Sequence, residues 1–452
     1  MECEMTREST SPPTVLHVLA NSLPDLNGYA VRSHSILRSQ NEQGVCNPVA
    51  ITSPFYPDRE AMRKPATIDG IRYLRSIDGT SVTKDTSSPT GPSGGRMAQR
   101  IRFVYRRVMR PLKWLIRDPV NLVRELSRMA AFRHTLLRTI DEEEPALVHG
   151  HTPFRVGMPA LRATRRRGIP FVYEMRGIWE DSAVAQGRWK EGSLKYRYYR
   201  WMESRVLRNA DHVVTISEQL RDEATRRGVD PSKITVVPNS VELSESSDEL
   251  SVESATLRDS LEHALDGLTV VGYIGSLRAL EGVDLTADAV AMLKAQGHPV
   301  AFLVLSGTTN QEALMDRCRS LGIEEVSHIV GPVPHEDVGA FYQMIDVFVV
   351  SRPDTRVTRL VTPLKPLEAM SHGCATIVSD LPALNELVED GRTGRTFQPD
   401  SEIALAEVIE RYITDPEEWQ PIRTQGRTWV MNERCWKETV HRYTDVYTGL
   451  LS

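Results

Sequence analysis

Four stretches of this chain carry residues whose types and spacing could do chemistry. The segment Thr362-Pro363-Leu364-Lys365-Pro366-Leu367-Glu368-Ala369-Met370 offers a lysine, a usable point charge for phosphate. It also offers a carboxylate, which can accept from two vicinal hydroxyls. Ser371-His372-Gly373-Cys374 follows, then an apolar run Ala375–Val378 leading into Ser379-Asp380. Asn27-Gly28-Tyr29 follows the first strand-like run and precedes a helical segment, and Gly275-Ser276 comes directly after the first strand-like run of the second half. A glycine there lets the backbone approach a ligand, a helix N-terminus favours an anion, and Arg278 supplies a nearby cation. Taken alone each is a weak signal, since a glycine after a strand is usually ordinary turn chemistry. His149-Gly150-His151 completes the set; one of its two imidazoles is expected to face inward as a satisfied core residue. Glu368 alone could be an acid placed for a helix dipole, and Arg176 a structural partner of Glu174, Glu180 or Asp181.

The elements that must position these residues are short β-branched runs alternating with helical-period segments. Val15–Leu19, Pro48–Thr52, Ile71–Arg75, Leu147–His149, Phe171–Glu174, His212–Ile216 and Ile234–Val237 read as buried parallel strands. Helical patterns over Ala30–Gln43, Val156–Arg167 and Glu218–Gly228 connect them, as right-handed βαβ units require. Ser244–Ser254 reads as a linker. A second series follows at Thr269–Ile274, Val300–Leu305, His328–Val330, Asp346–Val350 and Ala375–Val378. The fold expected is α/β, two Rossmann-like doubly wound domains facing across a cleft, with a nucleotide site at a topological switch point. The first domain spans 1–243 and the second 244–428. The aromatic-rich segment 429–452 either caps the second domain or crosses back to complete the first.

Ser81–Gly95 is almost entirely Ser, Thr, Pro and Gly and is expected to be a mobile loop. Arg96–Arg117 then carries eight basic residues and no acid, with Met97, Ile101, Val104, Val108, Leu112 and Leu115 at helical spacing and Pro111 as a bend. Trp114 near its end completes the composition of an interfacial membrane helix; a packed helix with a solvated basic face is the alternative.

With 452 residues, 40% hydrophobic and 25% charged, the composition is that of a soluble globular chain of two domains. A net charge of -5 argues against a nucleic-acid binder. The five scattered cysteines suit a reducing compartment without disulfides or structural zinc. The acidic N-terminus with its short apolar run does not read as an export signal, and no stretch is long enough to span a bilayer. A cytoplasmic protein follows, with any membrane contact peripheral through 96–117.

The Pro-x-Lys-x-x-Glu pattern at 363–368 resembles the donor-site signature of the family 4 glycosyltransferases, retaining enzymes of the GT-B fold. The resemblance extends over nearly the whole chain. His149-Gly150-His151-Thr152-Pro153 is similar to the family's His-x-His segment, and Arg176-Gly177-Ile178-Trp179 to its Arg-x-x-Trp segment beside the acceptor. Val236-Val237-Pro238-Asn239-Ser240-Val241 resembles its hinge, with Ser240 in place of Gly, and Val330-Gly331-Pro332-Val333 its nucleobase loop. By the same likeness the last helix crosses back onto the first domain.

The resemblance implies a donor site of Gly28, Gly275, Ser276, Val330, Val333, Leu364, Lys365 and Glu368, the lysine neutralising the diphosphate and Glu368 holding the ribose. It implies catalytic roles for His151, Lys365 and Arg278, with Arg176 on the acceptor side and neither metal nor cofactor. In the pattern a first glutamate stands eight positions before the second; here Leu360 takes its place, leaving Arg352, Asp354 and Arg356 as sugar-binding candidates. The usual Lys-Gly after the phosphate loop is Glu281-Gly282, which removes a cation. The reaction implied is transfer of a hexose-type sugar from a nucleoside diphosphate sugar to a glycan acceptor, lipid-linked if the basic segment binds membrane. A nucleotide-sugar epimerase, a transferase with a soluble acceptor and a binding module are the competing readings. No D-x-D stands beside a strand, in keeping with metal-independent transfer.

Overall fold

The computed structural model describes residues 12–25, 27–55, 64–76, 110–242 and 250–452, with side chains described from 121 onward in the helix that begins at Arg110. The expected loop at 81–95, residues 96–109 of the basic segment and residues 244–249 of the linker lie outside the described residues.

The first sheet contains β1 (Thr14–Leu19), β2 (Asn47–Thr52), β3 (Ala66–Ile68), β4 (Ile71–Arg75), β5 (Leu147–His151), β6 (Phe171–Met175), β7 (His212–Thr215) and β8 (Ile234–Val236). Its order is β3-β4-β2-β1-β5-β6-β7-β8, parallel throughout except where β3 meets β4. The second sheet contains β9 (Thr269–Ile274), β10 (Val300–Leu305), β11 (Ser327–Val330), β12 (Val347–Val350), β13 (Ala375–Ser379) and β14 (Arg395–Phe397), in the parallel order β11-β10-β9-β12-β13-β14. In both sheets the first strand is central and the order reverses beside it, which opens a crevice at the strand C-termini. Strands covered on both faces by helices need apolar side chains on both, which is why the continuous runs located them.

Register fixes the polar chemistry of the first domain. Across β1 and β5, His17 pairs with His149, and across β5 and β6, His151 pairs with Glu174. In-register neighbours and residues two apart share one sheet face. The expectation that one of His149 and His151 faces inward and the other does not is therefore corrected. Both are fully buried, their rings stacked with centroids 4.3 Å apart.

The basic segment is helical from Arg110, in a helix that continues to Glu143. Pro111 lies within this helix, and the part of the basic segment before Arg110 lies outside the described residues. The tail also departs from its expected bounds. The helix Gln420–Glu433 packs on the second core through Val430, so the crossing begins near Arg434 rather than at 429. Val241 N–H donates to the Arg434 carbonyl (2.8 Å), and Trp436 N–H to the Val241 carbonyl (3.1 Å). Trp436, Val440, Tyr443, Val446 and Tyr447 then bury themselves in the first domain.

The two domains are bolted together beside the donor segment. Asn239 Nδ2 donates to the Thr362 carbonyl (2.8 Å), and Ser217 Oγ to the Leu360 carbonyl (3.1 Å). Glu386 receives the Glu218 and Gln219 N–H groups, both at 2.9 Å, and so caps a helix of the other domain. Leu360 and Val361 pack into the first domain's core.

Candidate active site

On the donor side the helix Lys365–Ser371 starts directly after this bolted segment, with Pro366 in its first turn. Lys365 Nζ donates to Glu368 Oε2 at 2.8 Å, and the Tyr342 hydroxyl donates to the same oxygen at 2.7 Å. Burial works to raise the Glu368 carboxyl. Lys365 and then Tyr342 outweigh it and hold the group below the usual carboxylate range, so it is an ionised acceptor at neutral pH. Gly275 faces this pair. It sits at φ +153°, and a Cβ there would stand 3.2 Å from Lys365 Cε and 2.8 Å from the Tyr273 hydroxyl. The structure thus brings Gly275, Lys365 and Glu368 together, with the exposed Ser276 beside them. Tyr342 was not foreseen: it ends the short helix Val338–Tyr342, and no pattern marks it.

The replacement of lysine by Glu281 has a visible consequence. Glu281 is buried and bridges two arginines, Arg278 at 2.6 Å and Arg352 at 2.8 Å. Burial pushes its carboxyl up, yet Arg352 and Arg278 more than offset this and keep it ionised. Next to it Gly282 adopts φ +71°, where a Cβ would fall 1.7 Å from the Ser351 carbonyl oxygen. Arg278 therefore reaches the phosphate loop already paired, though its side chain remains 53% exposed. Arg352 is a buried partner of Glu281 and also donates to the Val361 carbonyl. Asp354 is paired with Arg359, and Arg356 crosses to Asp181 (3.2 Å) and Glu223 (2.8 Å) of the first domain. Each of these three candidates is held in an ion pair within the chain.

Two further donor elements hold themselves rather than an open ligand position. The Val330 carbonyl accepts from Ser306 N–H (2.9 Å) and Gln311 Nε2 (3.2 Å), and Val333 is half-buried against the second core. Leu364 accepts from the Leu367 and Glu368 N–H groups at the start of the donor helix. Across the cleft Gly28 opens the helix Gly28–Glu42 into free space. The Asn27 side chain already accepts from the Tyr29 and Ala30 N–H groups (both 3.0 Å), which an anion at this terminus would otherwise take.

At the C-terminal ends of β5 and β6 lies a buried polar network centred on Glu174, the partner of Arg176 among the three acids considered. Arg176 Nε donates to Glu174 Oε1 at 2.8 Å and Arg32 Nη2 at 3.1 Å; the Tyr443 hydroxyl donates to Oε2 at 2.7 Å. Burial alone would raise the Glu174 carboxyl, but Arg176 and Arg32 hold it well below the carboxylate range. Arg176 continues to Ser33 Oγ (2.6 Å) and to His151 Nδ1 (2.7 Å). An arginine can only donate, so His151 Nδ1 accepts, and Nε2 carries the hydrogen to His17 Nδ1 at 3.1 Å. His149 Nδ1 meets the Tyr447 hydroxyl at 2.8 Å. Burial lowers the pKa of all three histidines, with Arg176 adding to the effect at His151, so they are neutral.

His151 therefore lies under Arg176 with both nitrogens spent, instead of open to a sugar. His17 was missed in the sequence, although a lone titratable residue inside the apolar run Val15–Leu19 was a readable signal. The three ring nitrogens come within 4.8 Å of one another, a spacing that invites comparison with a metal site. The hydrogen bonds assigned above use His17 Nδ1, His149 Nδ1 and both nitrogens of His151, while His17 Nε2 and His149 Nε2 are buried without a hydrogen-bond partner. The near-parallel rings, 18° between His17 and His151 and 20° between His149 and His151, do not aim lone pairs at one point.

Comparison with known proteins agrees with this architecture. The model of the glycosyl transferase 4-like domain matches residues 27–240, and that of the glycosyl transferases group 1 matches residues 258–429. Glycogen synthase of Mycobacterium tuberculosis is 25% identical over 320 residues, covering 70% of this chain and 72% of that protein. Sucrose-phosphate synthase from Thermosynechococcus elongatus superposes with a TM-score of 0.70 at 16% identity, covering 97% of this chain and 99% of that one. Anabaena HepE in complex with UDP and glucose superposes with a TM-score of 0.66 at 13% identity, over 97% and 100% of the two chains. Two Rossmann-like domains across a cleft, with these neighbours, define the GT-B fold. With both of its domains matched, the chain belongs to the family 4 glycosyltransferases, and its activity is glycosyl transfer.

Proposed function

We propose that the protein is a retaining, metal-independent hexosyltransferase that takes its sugar from a nucleoside diphosphate sugar and delivers it to a lipid-linked glycan in surface polysaccharide assembly. The observation that carries the donor side is the meeting of Lys365, ionised Glu368 and the Gly275 turn. Glu368 accepts from the ribose hydroxyls, and Lys365, released from it, meets the diphosphate together with Arg278 and the Gly275 backbone. Arg176, held by Glu174 and His151, stands on the acceptor side as the positioning residue. An epimerase would need carboxylates free for acid and base work. Glu174 is wrapped by cations and hydroxyls, and Glu281 by two arginines, which favours transfer.

The test is thermal stabilisation by UDP, GDP, ADP and CDP and their sugar conjugates. At a hundredfold excess over Kd, the matching nucleotide is expected to add about 2.7 kcal/mol. Glu368→Ala is expected to abolish that shift. No shift with any nucleotide would sink the donor assignment.

The lipid-linked acceptor draws on the helix Arg110–Glu143. It exposes Leu122 (39%), Val123 (64%) and Leu126 (44%) just after Arg110, Lys113 and Arg117, an apolar and cationic composition suited to an anionic interface. No helix among the described residues is long and apolar enough to cross a membrane. Flotation with anionic liposomes at low salt is expected to carry the protein upward, and 0.5 M salt to weaken this, since roughly 4 Å of screening length remains at that strength. Protein left in the soluble fraction at low salt would favour a soluble acceptor.

A further inference from the structure

We propose that Arg128 and Arg155, flanking Phe55 at the cleft edge of the first domain, form a subsite for a phosphate group carried by the acceptor. This deepens, and rests on, the transferase reading, naming the chemistry of its second substrate. Phe55 follows the C-terminal end of β2, and Arg155 lies in the first turn of the helix Phe154–Arg167, directly after β5. Both therefore rise from the sheet edge that borders the cleft.

The Arg128 guanidinium carbon stands 5.0 Å from the Phe55 ring centroid, and that of Arg155 stands 6.0 Å from the same ring and 5.2 Å from the ring of Tyr199. Two guanidinium groups sharing one ring repel each other. Burial, and after it Arg155, depress the Arg128 pKa, with Arg124 adding to the strain. The carboxylate facing this group is Glu125, and it serves Arg155 (2.8 Å) and the Tyr199 hydroxyl (3.2 Å). Arg128 donates to the Pro54 carbonyl and has no carboxylate partner among the described residues. Arg162 also acts on the neighbouring Tyr198. Among the described residues Glu125 is the acid that acts on Arg128, and it is shared with Arg155, so arginines outnumber acids around this aromatic platform.

Unspent donors point the same way. Arg155 Nε and the Tyr198 hydroxyl are buried without a hydrogen-bond partner. An anion with several acceptor oxygens satisfies both while neutralising the arginines, and a guanidinium fork matches two phosphate oxygens at once. The ligand is thus a phosphate or diphosphate ester. Leu122 and Leu126 are exposed on the same helix within two turns of Arg128, so an apolar chain on the ester would have a surface to follow. A phosphorylated soluble acceptor shares the headgroup chemistry without using that surface.

Binding of farnesyl diphosphate, farnesol and inorganic pyrophosphate to the full chain separates the cases. It is measured by calorimetry on wild type, Arg128→Ala, Arg155→Ala and Arg155→Lys. Farnesyl diphosphate is expected to bind wild type, farnesol not to compete, and each alanine variant to bind roughly tenfold more weakly or worse, with lysine restoring only part. Pyrophosphate binding as tightly, with the same dependence on both arginines, would support the subsite and assign it to a soluble phosphorylated acceptor. Equal affinities for wild type and alanine variants, or no phosphate binding by wild type, overturn the subsite. The thermal shift with the matching nucleotide is followed in every variant. If it persists while phosphate binding proves independent of the arginines, only the subsite fails; if wild type shows no nucleotide shift, the donor assignment fails and with it the proposed reaction that the subsite serves.

Discussion

Glu174→Leu is expected to cost about 3–5 kcal/mol of stability, read as a fall in the urea midpoint at unchanged slope. The exchange leaves Arg32 and Arg176 buried without their carboxylate, and strips the Tyr443 hydroxyl of its acceptor. Uncompensated buried charge is among the few causes that reach this size. Because Tyr443 belongs to the returning C-terminal helix Arg442–Leu451, the damage should appear in that helix as well, as faster amide exchange. Glu174→Gln keeps the shape and some hydrogen bonds but loses the charge, and should fall between. A midpoint for Glu174→Leu within 1 kcal/mol of wild type would mean that the arginines find water or other partners, contrary to the burial on which the reading depends.

The same network makes the wild type acid-labile, with a sign that can be worked out. His17, His149 and His151 are neutral when folded, and each binds a proton near pH 6.5 once unfolded. Their contribution is therefore lost as pH falls below about 6.5. Glu203 opposes them: burial lifts its carboxyl to about 7, so the folded chain holds one proton that the unfolded chain gives up above about 4.3. His212, His328 and His372, also lowered by burial, act in the same direction as the three, so the histidines outweigh Glu203 and stability is expected to fall as pH drops below about 6.5. Glu174, depressed when folded, adds a further loss below about pH 4.3 as it is protonated in the unfolded state first. Urea midpoints at pH 7.5, 6.5 and 5.5 measure the slope. A flat profile would show that the imidazoles titrate freely in the folded chain. Glu203→Gln removes the opposing proton and should steepen the decline.

What the sequence revealed and what it hid follow from the range of each interaction. The strands Thr269–Ile274 and Val300–Leu305 fall on their expected bounds, because a strand buried on both faces writes a nearly unbroken apolar run, and Ile71–Arg75 does so through the alternation of Ile71 and Tyr73 with Arg72. β3 and β14 escaped notice: each is three residues at a sheet edge, too short for periodicity to register. The donor pair was legible since Lys365 and Glu368 belong to one helical turn. The polar network was not, because it depends on register between strands more than 100 residues apart, such as His17 beside His149. The tether on Arg278 could have been suspected, as Glu281 is its neighbour three residues on. The second arginine on that carboxylate, Arg352, arrives only through the fold.

Lys365→Ala and Glu368→Gln are expected to divide the donor's handling between them. In the unliganded chain the two hold each other, so neither is solvated as a free ion and neither must be dragged from bulk water when the donor arrives. Charge on the departing diphosphate grows only as the sugar leaves, so an interaction with Lys365 strengthens toward the transition state. Its loss should lower kcat by roughly two to three orders of magnitude, as for other donors aimed at developing charge. Ribose hydroxyls bear no such change. Glu368→Gln should mainly raise the donor KM, by roughly tenfold or more, with kcat nearly kept. Glu368→Gln also frees Lys365 from its tether, so the double variant should lose less than the sum of the singles, with a coupling of about 0.5–3 kcal/mol. Steady-state kinetics across this four-member cycle decides the matter. Should Lys365→Ala raise KM alone, the lysine serves ground-state binding only, and the leaving group's charge must be met by Arg278 and the Gly275 backbone despite the hold of Glu281 on that arginine.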